Sequence, residues 1–500
     1  MSTAPDPTPF SLDHLAFRGK DADAALILRG ETLSWNGLRS RVALLAGWLA
    51  QQLPEKGARV ATWAAKGECA CLMPLAAARA GLVHVPINPL LKRAQVKHIL
   101  KDSGASMLIA NAARLASLED GDVPTFCSRF EELPVMEACR DADPIVEPSC
   151  ALGGDLAAIL YTSGSTGRPK GVMLSHANLW LGAVSVAHYL GMAHDDVTLA
   201  VLPLSFDYGQ NQLLSTWYAG GCVVPLDYLT PRDVIKACSR HGVTTLAAVP
   251  PLWVQLVGQD WPDEAVASMR RLTNSGGALT EDLVRGLQKL FPKTRLFPMY
   301  GLTEAFRSTY LDPELVDKHP TSMGRAIPFA EILVVDGTGA VAREGELVHC
   351  GPLVAMGYWQ DAGRTAQRFR PAPPASHYGG MAVWSGDNVR RGNDGLLYFV
   401  GRDDAMIKSA GNRISPQEIE EVVIASKFAE EAVALGVPDE KLGHAIHLIV
   451  RGSGDDDGLR DVLRRELPNF MQPAEIRWLN AMPLNANGKI DRSRLAREAV

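Results

Sequence analysis

Short apolar runs alternate with amphipathic stretches along the first 300 residues of the chain. An apolar run at residues 59–63 is followed by an alanine- and leucine-rich stretch and by a second run at 83–87. The rhythm returns after residue 170, with short strand-like runs at 198–202, 222–225, 245–249, 271–273 and 296–298. Strands that alternate with helices at this spacing predict βαβ units with parallel strands. We therefore expect two α/β sheets of similar size, joined by a proline-rich connection at residues 120–151.

The pattern changes near residue 323, where closely spaced strand-like runs replace the helices. These runs, at 331–335, 345–350, 383–384 and 397–400, predict a small β subdomain. A further compact unit with mixed helical and strand-like segments follows. The predicted fold class is α/β, with a large N-terminal domain of two α/β sheet subdomains plus a small β subdomain (1–402), and a small α+β C-terminal domain (403–500).

Composition argues against two classes of partner. The 500 residues are 47% hydrophobic and 21% charged, enough to bury more than one core, and the formal net charge of −6 gives no basic excess for nucleic acid. We find no run of 18 apolar residues and no basic and apolar signal-peptide regions at the N-terminus. The eight cysteines are scattered without metal-ligand spacing. We expect a cytoplasmic protein with reduced thiols, no nucleic-acid partner and no membrane insertion.

Residues 161–171 read Tyr-Thr-Ser-Gly-Ser-Thr-Gly-Arg-Pro-Lys-Gly and follow an apolar run that predicts a strand. Such a segment cannot pack a core, but its backbone N–H groups and hydroxyls can surround an anion, and Lys170 adds a positive charge. The spacing is not that of the Walker loop, because the lysine stands three residues after Gly167 and Gly171 replaces the metal-binding hydroxyl. The sequence predicts a phosphate-binding turn, with a flexible hairpin tip as the alternative.

Four further motifs follow this turn along the chain. They are Tyr-Gly-Leu-Thr-Glu at 300–304, Trp-Ser-Gly-Asp at 384–387, Gly-Arg at 401–402 and Asn-Gly-Lys at 487–489. Together with the turn they resemble the adenylate-forming superfamily of AMP-forming acyl-CoA synthetases, adenylation domains of peptide synthetases and luciferases. The resemblance implies ATP-dependent activation of a carboxylic acid as an acyl-adenylate, with release of pyrophosphate. A pantetheine thiol, that of CoA in the first instance, then displaces AMP to give a thioester.

The resemblance also implies roles for individual residues. ATP or AMP would be bound by Thr162, Ser163, Gly164, Ser165, Thr166, Gly167, Lys170, Gly276, Gly277, Ala278, Tyr300, Gly301, Asp387 and Arg402. Glu304 would hold Mg²⁺, because a hard cation prefers carboxylate oxygen, and Thr303 would contact phosphate beside it. Lys489 would be the catalytic lysine that bridges the carboxylate and the α-phosphate. The residues alone leave other roles open, namely a helix cap for Glu304, a turn for the segment ending at Asp387 and a solvated loop for Lys489.

The acid pocket is assigned by the same resemblance to Phe206, Asp207, Ser275 and Leu302. Phe206-Asp207 is similar to the pair found in amino-acid-activating members, in which the aspartate pairs with the α-ammonium group of the substrate. Asp207 can equally cap a helix that begins near Gln210. More narrowly, the segments that start at residues 207, 273 and 300 resemble acyl-CoA ligases associated with exosortase A systems in bacteria. These resemblances leave the acid unidentified.

The second half-reaction requires Lys489 to leave so that the thiol can enter. In the family the small domain is mobile and rotates. By the resemblance the hinge carboxylate is Asp404, and Gly411 would leave room for the pantetheine arm. The expected partners are a small-molecule carboxylic acid, ATP and CoA, with the phosphopantetheine of an acyl carrier protein as the alternative thiol. Two other functions stay open: an amino-acid adenylating ligase that loads a carrier protein, and a catalytically silent nucleotide-binding partner protein.

Overall fold

A computed structural model describes residues 4–162, 169–402, 406–452, 454–483 and 490–499, except for the side chains of Arg402 and Ser493. The strands are, in chain order, β1 (Ala24–Leu28), β2 (Glu31–Ser34), β3 (Arg59–Trp63), β4 (Val83–Pro86), β5 (Met107–Ala110), β6 (Ser128–Glu131), β7 (Leu156–Thr162), β8 (Lys170–Ser175), β9 (Val197–Ala200), β10 (Cys222–Pro225), β11 (Thr245–Ala248), β12 (Arg271–Asn274), β13 (Arg295–Tyr300), β14 (Thr309–Tyr310), β15 (Arg325–Ala326), β16 (Glu331–Val335), β17 (Glu344–Cys350), β18 (Gly357–Tyr358), β19 (Phe369–Pro371), β20 (Met381–Arg391), β21 (Leu397–Arg402), β22 (Ile407–Ser409), β23 (Asn412–Ile414), β24 (Ala429–Asp439), β25 (Gly443–Gly452) and β26 (Glu475–Trp478).

The α-helices are α1 (Trp35–Gln52), α2 (Glu68–Ala80), α3 (Arg93–Ser103), α4 (Ala112–Ala116), α5 (Glu132–Ala138), α6 (His176–Leu190), α7 (Asp207–Tyr218), α8 (Pro231–His241), α9 (Pro250–Val257), α10 (Asp263–Ser268), α11 (Glu281–Leu290), α12 (Ala362–Arg368), α13 (Pro416–Ala425), α14 (Asp456–Glu466) and α15 (Arg492–Glu498). Short 3-10 helices lie at Leu12–Phe17, Cys139–Asp141, Thr303–Ala305, Pro313–Leu315 and Asn469–Met471. No helix in the described part of the chain combines the length and the apolar character that a bilayer crossing needs.

Two large sheets form the core of the N-terminal domain. Their strand orders are β15-β14-β13-β12-β11-β9-β10-β1-β2 and β18-β8-β7-β4-β3-β5-β6. The central strands are parallel; Leu272 on β12, for example, pairs with Leu246 on β11 and with Leu296 on β13. Strands covered on both faces read as continuous apolar runs, which is why the sequence predicted them. The expected pair of α/β sheets is thus confirmed.

The connection at residues 120–151 is more ordered than the sequence predicted. Here β6 pairs in parallel with β5 at the edge of the second sheet, and α5 follows it directly. Ser128 and Arg129 on β6 are exposed, so this edge strand lacks the apolar pattern that identified the central ones.

Two smaller sheets complete the fold. The β subdomain has the order β16-β17-β20-β19 with β21 on β20, and the C-terminal domain has β23-β22-β25-β24 with β26 on β25. The C-terminal sheet packs α13 and α14 over a hydrophobic cluster of its own. It contacts the N-terminal domain at Gln95, whose amide donates to Glu418 (3.2 Å) and to the carbonyl of Glu466 (3.4 Å). A large N-terminal domain and a small C-terminal domain are therefore confirmed.

Candidate active site

The antiparallel β7–β8 hairpin carries the first of the expected site residues. Thr162 and Lys170 pair opposite each other at its end, and the Thr162 hydroxyl is buried without a hydrogen-bond partner among the described residues. That hydroxyl is therefore available to a ligand. The remaining turn residues and two others expected in the C-terminal domain lie outside the described residues: Ser163, Gly164, Ser165, Thr166, Gly167, Asp404 and Lys489.

Lys170 lies in a buried polar cluster with Tyr358 and Glu304. Its ammonium group is 3.1 Å from Oε1 of Glu304 and also donates to the hydroxyl of Tyr358, which itself donates to the same carboxylate oxygen at 2.6 Å. Pairing of β18 with β8 fixes the position of Tyr358. The short helix Thr303–Ala305 has no side-chain cap. Glu304 therefore faces the lysine and does not cap a helix.

Positive charge exceeds negative charge around Glu304. Burial raises the pKa of Glu304, but Lys170, Arg368 and Arg413 outweigh that effect and hold the pKa well below its usual range. Burial lowers the pKa of Lys170; Glu304 opposes this change, whereas the two guanidinium groups reinforce it. An isolated ion pair would shift the two pKa values in opposite directions, and both are lowered here because burial acts on the lysine and three cations share one carboxylate. Such a surplus favours binding of a polyanion.

Arg368 stands at the C-terminal end of α12, and no sequence motif singles it out. Its Nε and Nη2 atoms are buried without a hydrogen-bond partner among the described residues. Burial lowers the pKa of Arg368, but Glu304, two tyrosines and Asp387 outweigh it and raise the pKa. A guanidinium edge formed by these two nitrogens can bind phosphate or carboxylate with two parallel hydrogen bonds. Arg368 thus links the Glu304 cluster electrostatically to Asp387.

Asp387 is buried within β20, so the Ser-Gly-Asp segment forms part of a strand instead of a turn. The Tyr300 hydroxyl donates to its Oδ2, and the Asp387 N–H donates to the Ser385 hydroxyl at 3.1 Å. The backbone register places Asp387 opposite Arg402 on β21. Gly386, with φ 64°, precedes it, and a Cβ there would come within 3.1 Å of Nη1 of Arg368. The carboxylate is thereby held at the side of the cationic cluster.

Glycines lie where the two domains approach each other. Gly276, just after β12, has φ 81°, and a Cβ there would lie 3.9 Å from the carbonyl oxygen of Gly411. Gly411 stands at the tip of the β22–β23 hairpin with φ 77°, and a Cβ there would come within 2.9 Å of Val249. Side chains at these positions would be strained or would push the hairpin away. Gly277 and Ala278 follow Gly276 directly. Gly301 follows the end of β13, the strand that pairs with β12.

The expected acid pocket centres on Asp207. Helix α7 begins at Asp207 and not near Gln210, with Phe206 as N-cap residue and no side-chain cap. Its Oδ1 accepts from the Thr303 hydroxyl at 3.1 Å, and its Oδ2 lies 3.8 Å from Nη2 of Arg307. Burial raises the pKa of Asp207, against the opposing effects of Arg307 and Thr303. The capping alternative is therefore wrong, and Asp207 has an arginine as its cationic neighbour.

The other two residues expected in this pocket differ in their surroundings. Ser275 is buried, and its hydroxyl accepts from Nη1 of Arg307 at 2.8 Å. Leu302 packs into the largest hydrophobic cluster of the N-terminal domain.

Comparisons with known proteins match most of the chain. The family model described as "AMP-binding enzyme" matches residues 13–359, and that described as "AMP-binding enzyme C-terminal domain" matches residues 418–489. The chain belongs to the AMP-binding enzyme family. As an AMP-binding enzyme it carries Lys170, Glu304 and Asp207 within the first of the two matched segments.

Curated relatives of this AMP-binding enzyme include a carrier-protein ligase and much longer synthases. The L-proline--[L-prolyl-carrier protein] ligase of Pseudomonas fluorescens is 30% identical over 493 residues, which cover 95% of this chain and 96% of that protein. Bacitracin synthase 3 of Bacillus licheniformis is 28% identical over 94% of this chain. The chain spans only 7% of the length of that synthase.

Two solved structures of o-succinylbenzoate CoA synthetase (MenE) from Bacillus subtilis resemble the AMP-binding enzyme to different degrees. A double mutant bound with its product analogue OSB-NCoA has a TM-score of 0.86 at 25% identity, and the complex with the acyl-adenylate OSB-AMP has 0.71 at 26%. Both alignments cover 98% of each chain. Because the same enzyme is covered to the same extent, the difference reflects how its parts are placed. The present arrangement is more similar to that of the complex with the product analogue.

Sequence motifs missed several residues that the fold adds to the site. Tyr358 and Arg368 lie outside every motif, and their placement depends on pairing of β18 with β8 and on the end of α12. Arg413 follows Gly411 closely, inside the expected acceptor loop. Arg307 stands three residues after Glu304, so proximity to that motif was a usable signal.

Proposed function

We propose that this AMP-binding enzyme activates a carboxylic acid with ATP and transfers the acyl group to a pantetheine thiol. In the first step a carboxylate oxygen attacks the α-phosphorus and pyrophosphate leaves. In the second step the thiol sulfur attacks the acyl carbon, the bond to the AMP oxygen breaks, and the thiol proton passes to solvent. The observation that carries the proposal is the surplus of buried positive charge around Glu304. In-line displacement builds negative charge on phosphate oxygens, which such cations stabilise.

The residues present fit a polyphosphate together with one Mg²⁺. Magnesium is commonly held by one or two carboxylates plus substrate phosphates, and Glu304 is a carboxylate whose pKa is held well below its usual range. No group of three or more His, Cys, Asp or Glu side chains within the described ranges is arranged to hold a metal alone. We assign Glu304 as the metal ligand, with Thr303, Lys170 and Arg368 on phosphate oxygens. The metal would supply further neutralisation of the phosphate charge.

The remaining nucleotide contacts follow from the walls of the site. Asp387 would accept hydrogen bonds from the ribose hydroxyls, and Tyr300 holds that carboxylate in place. Gly276 and its neighbours Gly277 and Ala278 would lie along the adenine, where the absence of bulky side chains lets a flat base approach the backbone. Thr162 would bind phosphate at the end of β7, beside the turn residues 163–167. Arg402 would contact the ribose.

For the thiol step we propose that the chain divides into domains at residues 1–402 and 403–500, with Asp404 as the hinge. Lys489 acts in adenylation and moves away for thioester formation. Two observations support a structure poised for the second step: the Gly411 hairpin lies against Gly276 and Val249, and the overall arrangement resembles MenE bound with its product analogue. CoA is the proposed acceptor, and a carrier-protein phosphopantetheine is the alternative.

The decisive experiment is a panel of carboxylic acids assayed for AMP and thioester together, with CoA and with a phosphopantetheinylated carrier protein as acceptors. An accepted acid should yield AMP and thioester in equal amounts. ATP binding without acid-dependent pyrophosphate release would instead identify a catalytically silent nucleotide-binding protein. The identity of the acceptor follows from which thiol carries the acyl group.

The division of labour between half-reactions is tested by Lys489→Ala, with Lys441→Ala on the exposed surface of the same domain as control. Adenylation should fall by about 10²–10³-fold because a cation at the reacting phosphate is lost. Conversion of a supplied acyl-adenylate to thioester should continue. Equal loss of both half-reactions would contradict the switching proposal.

The strongest alternative is an amino-acid adenylating ligase that loads a carrier protein. It is favoured by the buried carboxylate of Asp207 and by the prolyl-carrier-protein ligase among the relatives. Under this alternative Asp207→Ala abolishes activation of every acid, since the substrate ammonium group loses its partner. Pyrophosphate release across acids with and without amino groups separates the two functions. The narrower resemblance to exosortase-associated ligases stays a prediction.

We also propose a cytoplasmic location, in line with the chemistry of the thiols. All eight cysteines are free, and seven of them are buried. Unpaired cysteines are typical of a reducing compartment.

A further inference from the structure

Arg307 is a buried arginine with one edge of its guanidinium group unused. Its side chain is only 2% exposed. Nη1 donates to the Ser275 hydroxyl, but Nε and Nη2 have no hydrogen-bond partner among the described residues. The nearest carboxylate oxygen, Oδ2 of Asp207, is 3.8 Å from Nη2, beyond hydrogen-bond distance. Buried polar groups are normally satisfied, so this edge points to a ligand.

The backbone before Arg307 is held in an unfavourable conformation. Phe306 has φ 61° and ψ −67°, and the Arg307 N–H donates to the carbonyl of Ala305 at 2.7 Å, which makes a tight γ-turn. The Phe306 ring is fully buried against Gly182, where a Cβ would come within 2.3 Å of it. Packing of Phe306 thus fixes the direction in which the next side chain leaves the backbone. Strain of this kind is concentrated at functional sites.

Arg307 lines a small cavity whose surface is mostly apolar but which several polar side chains also border. The polar ones include Asn211, Gln212 and Ser215 on α7 and Thr273 on β12. The Oδ1 atom of Asn211 is also without a hydrogen-bond partner among the described residues. The ring of Tyr208 lies 4.5 Å from the guanidinium carbon and supports it from one side. A plain hydrocarbon chain placed here would leave the Nε–Nη2 edge of Arg307 and Oδ1 of Asn211 unsatisfied.

We propose that Arg307 binds a second carboxylate of the substrate, so that the acid activated is a compact dicarboxylic acid. The inference rests on the proposed acid-activating function and names its substrate class. The Nε–Nη2 edge of a guanidinium group presents two parallel N–H donors, which match the two oxygens of a carboxylate. The reacting carboxylate remains beside Thr303 and Glu304, and the second one reaches the unused edge of Arg307.

Asp207 is compatible with such a ligand. Its Oδ1 keeps the hydrogen bond from Thr303, and it stands in the first turn of α7, where the helix dipole favours negative charge. Burial raises the pKa of Asp207, and Arg307 and the Thr303 hydrogen bond act in the opposite direction. By contrast, an ammonium group bound to Asp207 would compete with Arg307 for it and leave the arginine charge buried without its neighbour, which is costly.

The test compares malonate, succinate, glutarate and adipate with the monocarboxylic acid of equal carbon number in each case. Acid-dependent pyrophosphate–ATP exchange gives kcat/KM for each acid. The best dicarboxylate should exceed its monocarboxylic partner by at least about 10-fold, because two charge-assisted hydrogen bonds are gained. Alanine and proline are included, and a preference for either amino acid over every dicarboxylate overturns the proposal.

Arg307→Met removes the donor edge and keeps the length of the side chain. For the preferred dicarboxylate kcat/KM should fall by about 100-fold, mainly through KM, while the matched monocarboxylate changes by less than about 3-fold. Arg307→Lys should give an intermediate loss because the charge remains without the two-pronged geometry. Arg295→Met, an exposed arginine of β13, should behave as the wild type. ATP affinity of the Met variant reports whether the nucleotide site is intact.

The outcomes separate this proposal from the function it rests on. If monocarboxylic or amino acids are activated without a dicarboxylate preference, the assigned role of Arg307 is wrong and the ligase function stands. If Arg307→Met lowers kcat/KM equally for both members of each pair, the residue is only structural and the proposal fails. If no acid releases pyrophosphate, the proposed function fails together with it. Should Arg307→Met not fold, the wild-type ratios and Arg307→Lys still decide.

Discussion

Two buried clusters meet at Thr303 and Glu304, and they differ in charge balance. On one side Glu304 lies among Lys170, Arg368 and Arg413, so that cations outnumber the carboxylate. On the other side Thr303 donates to Asp207, which has a single cationic neighbour in Arg307 among the described residues. Adjacent positions thus contribute to two sites of different character. A surplus of cations suits a ligand of high fixed charge, and the unused guanidinium edge in the second cluster suits the one additional carboxylate proposed for the substrate.

The difference predicts different consequences of mutation. In the cluster around Glu304, loss of a cation weakens binding of a polyanion, while the carboxylate keeps other cations nearby. In the Asp207 pocket, loss of either member leaves the other charge buried and unpaired, which costs folding free energy. Function should therefore suffer most in the first cluster and stability most in the second.

The largest effect is expected for Lys170→Met. Acid-dependent pyrophosphate release should fall by about 10³-fold, since the ammonium group is a buried cation where charge develops on phosphate. Lys289→Met, on the exposed surface of α11, provides the matched control. A loss below about 10-fold would show that Lys170 only supports Glu304. It would contradict the expectation that function suffers most in the cluster around Glu304.

The Asp207–Arg307 pair should respond in stability. Asp207→Asn and Arg307→Met should each lower the free energy of unfolding by about 3 kcal/mol because each strands a buried charge. The double variant should lose less than the sum of the two, with a coupling of about 1–3 kcal/mol in urea unfolding. Strictly additive losses would mean that the 3.8 Å separation is too long for the pair to act as a unit.

Arg368→Met should have an intermediate effect on activity. Its Nε and Nη2 atoms have no hydrogen-bond partner among the described residues, and its charge acts on both Lys170 and Glu304. We expect kcat/KM for ATP to fall by about 30-fold, one bidentate contact being lost. Arg364→Met, one turn earlier on α12 and paired with Asp361, should stay within about 2-fold of the wild type. Equal effects of the two variants would indicate helix destabilisation.

Sequence reasoning recovered the parts of the molecule that local patterns encode. Central strands such as β7 appear as apolar runs because both faces are covered, and Lys170, Glu304 and Asp387 stand inside short motifs. The edge strand β6 was not predicted because its exposed residues break the apolar pattern. Arg368 was not predicted because the end of α12 reaches the site only through tertiary packing. No local sequence pattern indicates that such distant residues are close in space.

The acid pocket shows the same limit in a different form. The sequence offered a helix cap for Asp207, but the helix begins one residue after Phe206, and the carboxylate turns toward Thr303. The role of Arg307 depends on the γ-turn at Phe306 and on the space that Gly182 leaves for that ring. Both are long-range packing effects, and the order of residue types along the chain does not contain them.

The smallest effect concerns a third carboxylate, Glu418, at the contact between the domains. In contrast to Glu304 it has no cation among its main influences. Burial raises its pKa to about 7, the hydrogen bond from Gln95 lowers the pKa, and the Glu421 charge raises it further. Once exposed, this carboxyl would return to a pKa near 4.5. Its contribution to the observed domain arrangement is therefore complete at pH 4.5 and is lost as the pH rises through about 7.

Glu418→Gln should remove this pH dependence while keeping the contact with Gln95. For conversion of a supplied acyl-adenylate to thioester, the ratio of variant to wild-type rate should be near one at pH 4.5, rise between pH 4.5 and 7, and level off at about 3-fold above pH 7. Taking the ratio of the two rates cancels ionisation of the thiol, which affects both proteins alike. Glu440→Gln, an exposed carboxylate of the same domain, should show a flat ratio. A flat ratio for Glu418→Gln as well would mean that its raised pKa does not depend on domain contact.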